Sequence, residues 1–565
     1  RLAIEFPDSQ HGRGIQVMSL AGTVVSKVRP ALFVLIGAVG VVLLIDCANV
    51  ANLLLTRAAR RRREVAIRTA LGAARSRLVR QFLTESAVLA LAGGALGIAV
   101  AQWTLTILRG LGDTVLPHAE SIGLQLSVLL FALGVSVATG IVVGVVPALR
   151  ASDVDLRQDL TEAAGRSSAG GTRRRALDTL IVAEVALSLV LLVAAGLVIR
   201  SFVALLDTDP GFTAEHLLTF RVAAPPRQVQ PDSEKFVRFY EPVLARLRTM
   251  PGVEGAAFTS LLPVQGGATD RYFSIDNQPI ERDLSRAPDA EFRIVSAGYF
   301  REMRIPLVAG REFEDTDLRM TEPVVIVNDE LAKRYFPGRS PLGASITTGA
   351  EGGRVVGVVR SVRQMGLDQE PRPELYVPAS QASYNLDAMT FVLRARGKPE
   401  AVARAAREVV HDVAPQQPIF QLATMDEVIA KSLTTRRLVL VLLVAFATLA
   451  LVLSAAGVYG VMSYGVAQRT REIGIRMALG ARSGDVLSMI LGGTARVMAA
   501  GVAVGLLAAA LVTRLLGSVL YGVGAFDPIT FVLVPAVIAA VGLLAGAVPA
   551  VRAARVDPLE SMRAD

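Results

Sequence analysis

Seven apolar stretches of bilayer length run through the chain, at about 31–54, 83–108, 127–148, 177–199, 438–461, 487–513 and 530–551. A hydrocarbon core about 30 Å thick takes roughly 20 apolar residues in helical form, so each stretch predicts one membrane crossing. The second holds Gly93, Gly94 and Gly97, small residues that let helix backbones approach closely, which predicts a packed bundle. Between the fourth and fifth stretches the pattern changes. Residues 323–328 and 354–360 are β-branched runs bounded by turn residues and predict strands. Residues 233–249 and 399–413 carry helical spacing, so the block 204–430 reads as an α+β domain. Residues 162–175 are rich in Gly and Ser and predict a flexible linker.

Composition and charge sharpen this picture. Hydrophobic residues make up 52% of the chain, with only 5% aromatic and 19% charged, and the formal net charge is +9. The 204–430 block carries 31 acidic and 26 basic residues, a net of −5, so the remainder carries +14. Those arginines flank apolar helices, which is the pattern of membrane orientation, and a nucleic-acid partner is set aside. Nine arginines fall at 57, 60, 61, 62, 63, 68, 75, 77 and 80, and six more lie within 150–175. Loops 110–126 and 516–529 hold almost none. Seven alternating crossings therefore put the Arg-rich loops and the C-terminus on the cytoplasmic side and 204–430 outside. The lone Cys47 excludes an intrachain disulfide, and four scattered histidines argue against a zinc site.

The chain also repeats itself. Residues 63–73 match residues 471–481 at eight of eleven positions, in the pattern Arg-Glu-x-x-Ile-Arg-x-Ala-Leu-Gly-Ala. A second pair, residues 146–151 and 548–553, closes the third helix of each set, with Pro147 lying 83 residues after Glu64 and Pro549 77 after Glu472. Two motifs at similar spacing imply duplicated three-helix units. With these motifs, residues 47–55 and 83–86, and in the external block 295–300, 306–313, 323–328 and 371–376, the chain resembles the FtsX-like/MacB-type ABC permease family in its duplicated form without a fused ATPase.

That resemblance implies a multi-pass α-helical membrane protein of about seven transmembrane helices, with an α+β periplasmic core domain. Residues 1–30 would end a first periplasmic domain, whose greater part, with one helix, would lie upstream. Residues 31–149 would form the first FtsX-like transmembrane domain, 150–176 a cytoplasmic linker and 177–203 a helix. Residues 204–430 would be the MacB-like core domain, and 431–565 the second FtsX-like domain with a cytoplasmic tail. The location implied is a bacterial inner membrane. The function implied is that of a permease subunit coupling ATP hydrolysis by a separate ATPase to helix and domain movement, for export or extraction of substrate. An alternative within the family is a signalling scaffold that regulates a periplasmic envelope enzyme and transports nothing. A periplasmic adaptor or envelope protein is a further partner class, besides the lipid bilayer.

The repeated motif is the leading candidate site. On a helix Glu64 and Arg68, like Glu472 and Arg476, form i,i+4 pairs, while Ile67 and Leu71, like Ile475 and Leu479, share one face. Gly72 and Gly480 can end the helix. The resemblance assigns this segment, with Arg63 and Arg471, to docking on a dimeric ABC ATPase; an interfacial helix anchored to headgroups is the plainer reading. No G-x-x-x-x-G-K-[ST] phosphate loop occurs, so ATP is expected on a partner and no cofactor or catalytic residue is expected on this chain. Asp46, Glu85 and Glu184 sit inside apolar stretches, and Asp46, Asn49 and Asn52 are read as sharing a face; an interhelical polar contact outweighs a proton relay there. The acidic run 312–317 reads as a solvated turn rather than a cation site, and no metal is expected.

Overall fold

A computed structural model gives the fold. It describes residues 20–60, 75–110, 123, 125–138, 169–224, 235–267, 269–276, 278, 287–348, 351–382, 386–479, 481–518 and 520–554. The chain divides into two compact units, one formed by residues 1–204 with 435–565 and the other by residues 205–434.

In the first unit, α1 (Leu20–Arg60), α2 (Arg75–Gly110), α3 (Leu126–Ala138) and α4 (Ala169–Leu206) precede the second unit in the chain. Four of the predicted crossings lie here: α1, α2 and α4 are long and apolar enough to span, while α3 covers only the first part of 127–148 and the rest lies outside the described residues. Residues 169–175, expected in a flexible linker, are instead the first turns of α4. Helix formation there extends an already nucleated apolar helix, which costs far less than starting a new one.

The second unit is built from β1 (Leu217–Ala223), a π-helical turn (Phe236–Tyr240), α5 (Glu241–Arg248), β2 (Val253–Thr259), β3 (Asp270–Tyr272), β4 (Ser274–Ile275) and β5 (Asp289–Val295). There follow α6 (Tyr299–Met303), β6 (Leu307–Gly310), β7 (Val324–Asn328), α7 (Asp329–Tyr335), β8 (Ser345–Thr347), β9 (Gly352–Val359), β10 (Glu374–Pro378) and β11 (Ala388–Ala395). A 3₁₀ turn (Pro399–Val402), α8 (Ala403–Val413), β12 (Ile419–Thr424) and α9 (Met425–Ser432) complete it. The chain then re-enters the first unit through α10 (Thr434–Gln468), α11 (Thr470–Ala478), α12 (Ser483–Leu515) and α13 (Pro528–Ala554). Helices α10, α12 and α13 are the remaining spans, so six described helices can cross a bilayer.

The strands join one mixed sheet in the order β12-β1-β11-β2-β5-β10-β7-β9-β8-β4, with β3 on β5 and β6 on β9. Alternation along each strand gives the sheet two unlike faces. Phe220, Phe258, Phe292, Leu375, Val377 and Phe391 point to one face, where Tyr240, Val243 and Leu247 and then Ala406 and Val410 cover them. The other face carries Glu291, Arg293, Glu374, Tyr376 and Arg394, all buried. Arg293 pairs with Glu291 at 2.7 Å, the Tyr376 hydroxyl donates to Glu374 at 2.6 Å, and Arg394 donates to the carbonyl oxygens of Glu215 and Glu302, each at 2.8 Å. Phe300 of α6 meets the Tyr376 ring edge-on, with centroids 5.0 Å apart.

The membrane unit packs around α4. One side of it, Leu177, Ile181, Val185, Leu189 and Val193, joins Val458 of α10, Met498 of α12 and Ile538 of α13. The other, Leu191, Ala195 and Val198, meets Ala38 and Ile45 of α1 and Leu443 and Ala447 of α10. Glycine makes the close approach possible: a Cβ on Gly501 would lie 2.8 Å from Val185, and one on Gly505 would lie 2.9 Å from Ala186.

Burial pushes the Glu374 carboxyl up to about 7 from an ordinary 4.5, against the pull of Arg293. An acid whose folded-state pKa is raised stabilises the fold most while both states are protonated. Its contribution falls as pH rises from the unfolded value towards the folded one. Thermal stability of the wild-type chain should therefore fall between about pH 4.5 and pH 7. Glu374→Gln, which fixes the neutral form, should flatten that slope; an unchanged slope would show that Glu374 is not the titrating group.

Candidate functional site: the α11 surface and the clamp on α4

The short helix α11 lies between two spans. Ile473 and Met477, one turn apart, turn inward to Val486 of α12 and Ala553 of α13 and seat the helix. On its outer side Glu472 and Arg476 form the expected i,i+4 ion pair at 2.7 Å, and Arg476 also reaches the Met489 sulfur at 2.8 Å. Glu472 sits in the first turn and Arg476 in the last, each complementing the helix dipole. Both are half-exposed, and such pairs contribute only about 0.3–0.5 kcal/mol. Beside them Ile475 is 45% and Leu479 83% exposed, an apolar pair left uncovered next to a charged flank. The helix stops at Ala478, where Leu479 closes the last turn with its amide on the Ile475 carbonyl at 3.0 Å. Gly480 lies outside the described residues, as does the whole first copy: Arg63, Glu64, Ile67, Arg68, Leu71 and Gly72. The Arg471 backbone is helical.

The membrane carboxylates divide. Asp46 faces outward from α1 and Glu85 is exposed, accepting from Gln81 at 3.3 Å. Asn49 and Asn52 turn inward, and Asn49 donates to the Leu453 carbonyl at 3.0 Å. Asp46 thus leaves the face it was expected to share with them, because a step of six residues on a helix spreads the three over about 120°. Glu184 is fully buried, with its carboxylate laid on the bare backbone of Gly457 beside the Asn49 carboxamide. In the external unit, Asp317 of the acidic run accepts two bonds from Arg311, each at 2.8 Å, and one from the Glu314 amide at 2.9 Å. The run is a closed turn, with its most buried carboxylate already neutralised.

At the opposite end of α4 lies a contact that sequence reasoning did not single out. Asp527 is the residue before α13; its Oδ2 accepts from the Thr530 amide at 2.8 Å and the Thr530 hydroxyl at 2.7 Å, while its Oδ1 pairs with Arg200 of α4. Burial acts against ionisation of Asp527, but Thr530 and then Arg200 outweigh it and hold the carboxyl below the usual carboxylate range. The next residue of α4, Ser201, accepts the Tyr521 amide at 2.7 Å. Adjacent α4 residues therefore hold the 516–529 loop and the start of α13. The local half was readable, since Asp527-Pro528-x-Thr530 has the form of a helix start. Its partner, more than three hundred residues away in the chain, was not.

Family comparisons agree with this architecture. The description "FtsX-like permease C-terminal" matches residues 36–155 and again 444–558, and "MacB-like periplasmic core domain" matches residues 179–409. An ABC transporter permease of Bacillus subtilis (strain 168), YknZ, described as uncharacterized, is 26% identical over 49% of this chain and 70% of its own length. A probable syringafactin export ATP-binding/permease protein, SyfD of Pseudomonas syringae pv. tomato, is 30% identical over 54% of this chain. The chain spans about half the length of that fused relative, 48%. The crystallised periplasmic region of MacB from Actinobacillus actinomycetemcomitans aligns with 40% of this chain and 94% of its own at 15% identity, with a TM-score of 0.28. The chain belongs to the FtsX-like ABC transporter permeases that carry a MacB-like periplasmic core domain.

The clamp predicts a coupled pair. Asp527→Ala should lower stability by about 1–2 kcal/mol through loss of the helix cap. Arg200→Ala should add less than its single effect in the double variant, since both act on one contact. Thermal unfolding of the four proteins in detergent measures this, and strict additivity would contradict the clamp.

Proposed function

We propose that the chain is the permease subunit of an ABC-type transporter, in which a separate ATPase dimer hydrolyses ATP and drives the membrane helices and the periplasmic domain for export or extraction of substrate. The uncovered Ile475–Leu479 pair carries this reading. An apolar surface beside an ion pair, on a helix seated by its other face, is the form of a protein contact site rather than of a helix buried in headgroups. The Arg-rich flanks of the spans support a cytoplasmic position for that surface, where an ATPase would meet it. The repeat gives a second such segment at residues 63–73, one for each ATPase protomer. Closure of the dimer would push on α11, and through α12 and α13 on the packed bundle around α4. The ATP-binding regions in the name of the SyfD relative fit a transporter of this kind, with that part on another polypeptide here.

Burying two such aliphatic side chains contributes about 1.5–3 kcal/mol each, so their loss should be visible as a large change in affinity. The variant Ile475→Ser with Leu479→Ser should recover at least tenfold less of a co-expressed ATPase of this class than wild type does on the same affinity column. Both side chains are exposed, so the variant should keep the melting temperature of the wild-type chain. Undiminished recovery would refute docking at α11.

A further inference from the structure

Three helices bring polar groups together inside the membrane unit. Glu184 of α4 is fully buried, and among the described residues it has no ion-pair partner. Asp46 faces outward from α1, Arg496 is exposed on α12, and Arg552 of α13 is exposed beside Tyr459 of α10. On α4 itself, Arg200 is held by Asp527, and Asp178, six residues back, falls on another face of the helix. The neighbouring α4 residues Ile181 and Val185 join Val458, Met498 and Ile538 in an apolar core. Neither carboxylate oxygen of Glu184 accepts a hydrogen bond, and buried Asn52 of α1 leaves its carboxamide unpartnered as well.

What surrounds the carboxylate is oxygen. Gly457 of α10 leaves the space it occupies: a Cβ there would collide with both Glu184 oxygens and would lie 2.5 Å from Asn49 Oδ1. Asn49 turns its oxygen this way because its Nδ2 donates to the Leu453 carbonyl at 3.0 Å. Three acceptor oxygens thus crowd one point, and no described residue donates to the carboxylate. Acceptors repel at that range, and a bare carboxylate enclosed in a bilayer is costly. One positive charge shared between them removes both penalties, whereas a divalent ion would leave a surplus charge on a single carboxylate. Asn49 and Gly457 are also counterparts, each fourteen residues before the paired Arg63 and Arg471. The α4 carboxylate therefore sits where equivalent positions of the two repeats meet.

We infer that Glu184 and Asn49 hold one monovalent cation, a proton or a sodium ion, between the carboxylate and the carboxamide oxygen at the junction of the two repeats. Asn49 belongs to the first repeat and Gly457 to the second, so parting α1 from α10 would uncover the carboxylate and release the ion. Occupancy and closure of the junction are therefore linked: the bound cation favours the closed bundle, and any movement that separates the repeats works against it. The site is independent of docking at α11.

Infrared spectra of the full-length chain in phosphatidylcholine vesicles test this at neutral pH. In sodium-free choline buffer the wild-type chain should show a carbonyl band of a neutral carboxylic acid that Glu184→Gln abolishes and Glu374→Gln leaves in place. Asn49→Ala, which removes the accepting oxygen, should shift that band to higher frequency; a side chain that merely fills space would leave it unmoved. This variant keeps Glu184, so the site can still be read if Glu184→Gln misfolds. Adding sodium chloride separates the two ions: a band that persists identifies the proton as the resident, and one that disappears identifies sodium. Absence of any Glu184-dependent band in choline buffer, or a band that Asn49→Ala does not move, would overturn the inference.

Discussion

Everything in the membrane unit depends on how closely other helices can approach α4. In water, two apolar helices are driven together by the release of solvent; in lipid that drive is absent, and contact must come from shape. Gly501 and Gly505 supply the shape by removing the side chains that would keep α12 away, so that Val185 and Ala186 rest on backbone. Once α4 is seated, its other flank gathers α1 and α10 into a second apolar core. Glu184 is tolerated inside this packing because Gly457 leaves room for its carboxylate and Asn49 stands beside it. Towards its C-terminal end Arg200 and Ser201 tie the same helix to the loop that starts α13. One helix thus meets members of both repeats.

The external unit solves a different problem. Its sheet buries hydrocarbon on one face and charge on the other, and the charged face is affordable because most of its groups have partners. Arg394 is spent on backbone carbonyls, Arg293 on Glu291, and Tyr376 on Glu374. A buried polar layer with fixed partners specifies one arrangement of the strands more strictly than hydrocarbon would, since a one-residue slip between the parallel strands β5 and β10 would turn Glu291 and Arg293 towards the apolar face.

Most of the membrane architecture was legible because lipid imposes a simple rule of length and hydropathy. The two copies of Arg-Glu-x-x-Ile-Arg were legible as sequence identity, and the Glu472–Arg476 pairing follows from helical spacing alone. The glycines at 93, 94 and 97 were visible as small residues, whereas the approach of Val185 to Gly501 and of Ala186 to Gly505 exists only in three dimensions. The strands at 323–328 and 354–360 were readable, whereas the order of the sheet was not: β7 lies between β10 and β9, a choice made by side-chain matching across long connections. The extension of α4 back to Ala169 ran against a Gly- and Ser-rich composition, showing a long helix overriding local preference. Asp46 was misplaced for a similar reason, since a face defined over six residues is too wide to hold one contact.

The first and last strands of the external sheet are neighbours, with Leu218 opposite Thr424 and Thr219 opposite Ala423. The points where the polypeptide enters and leaves this domain are therefore about one strand spacing apart, roughly 5 Å. More than two hundred residues thus begin and end on neighbouring strands of one sheet. A domain whose first and last strands are neighbours can grow, shrink or be exchanged without moving its two ends apart. The permease scaffold can thus keep its helices while the inserted domain changes.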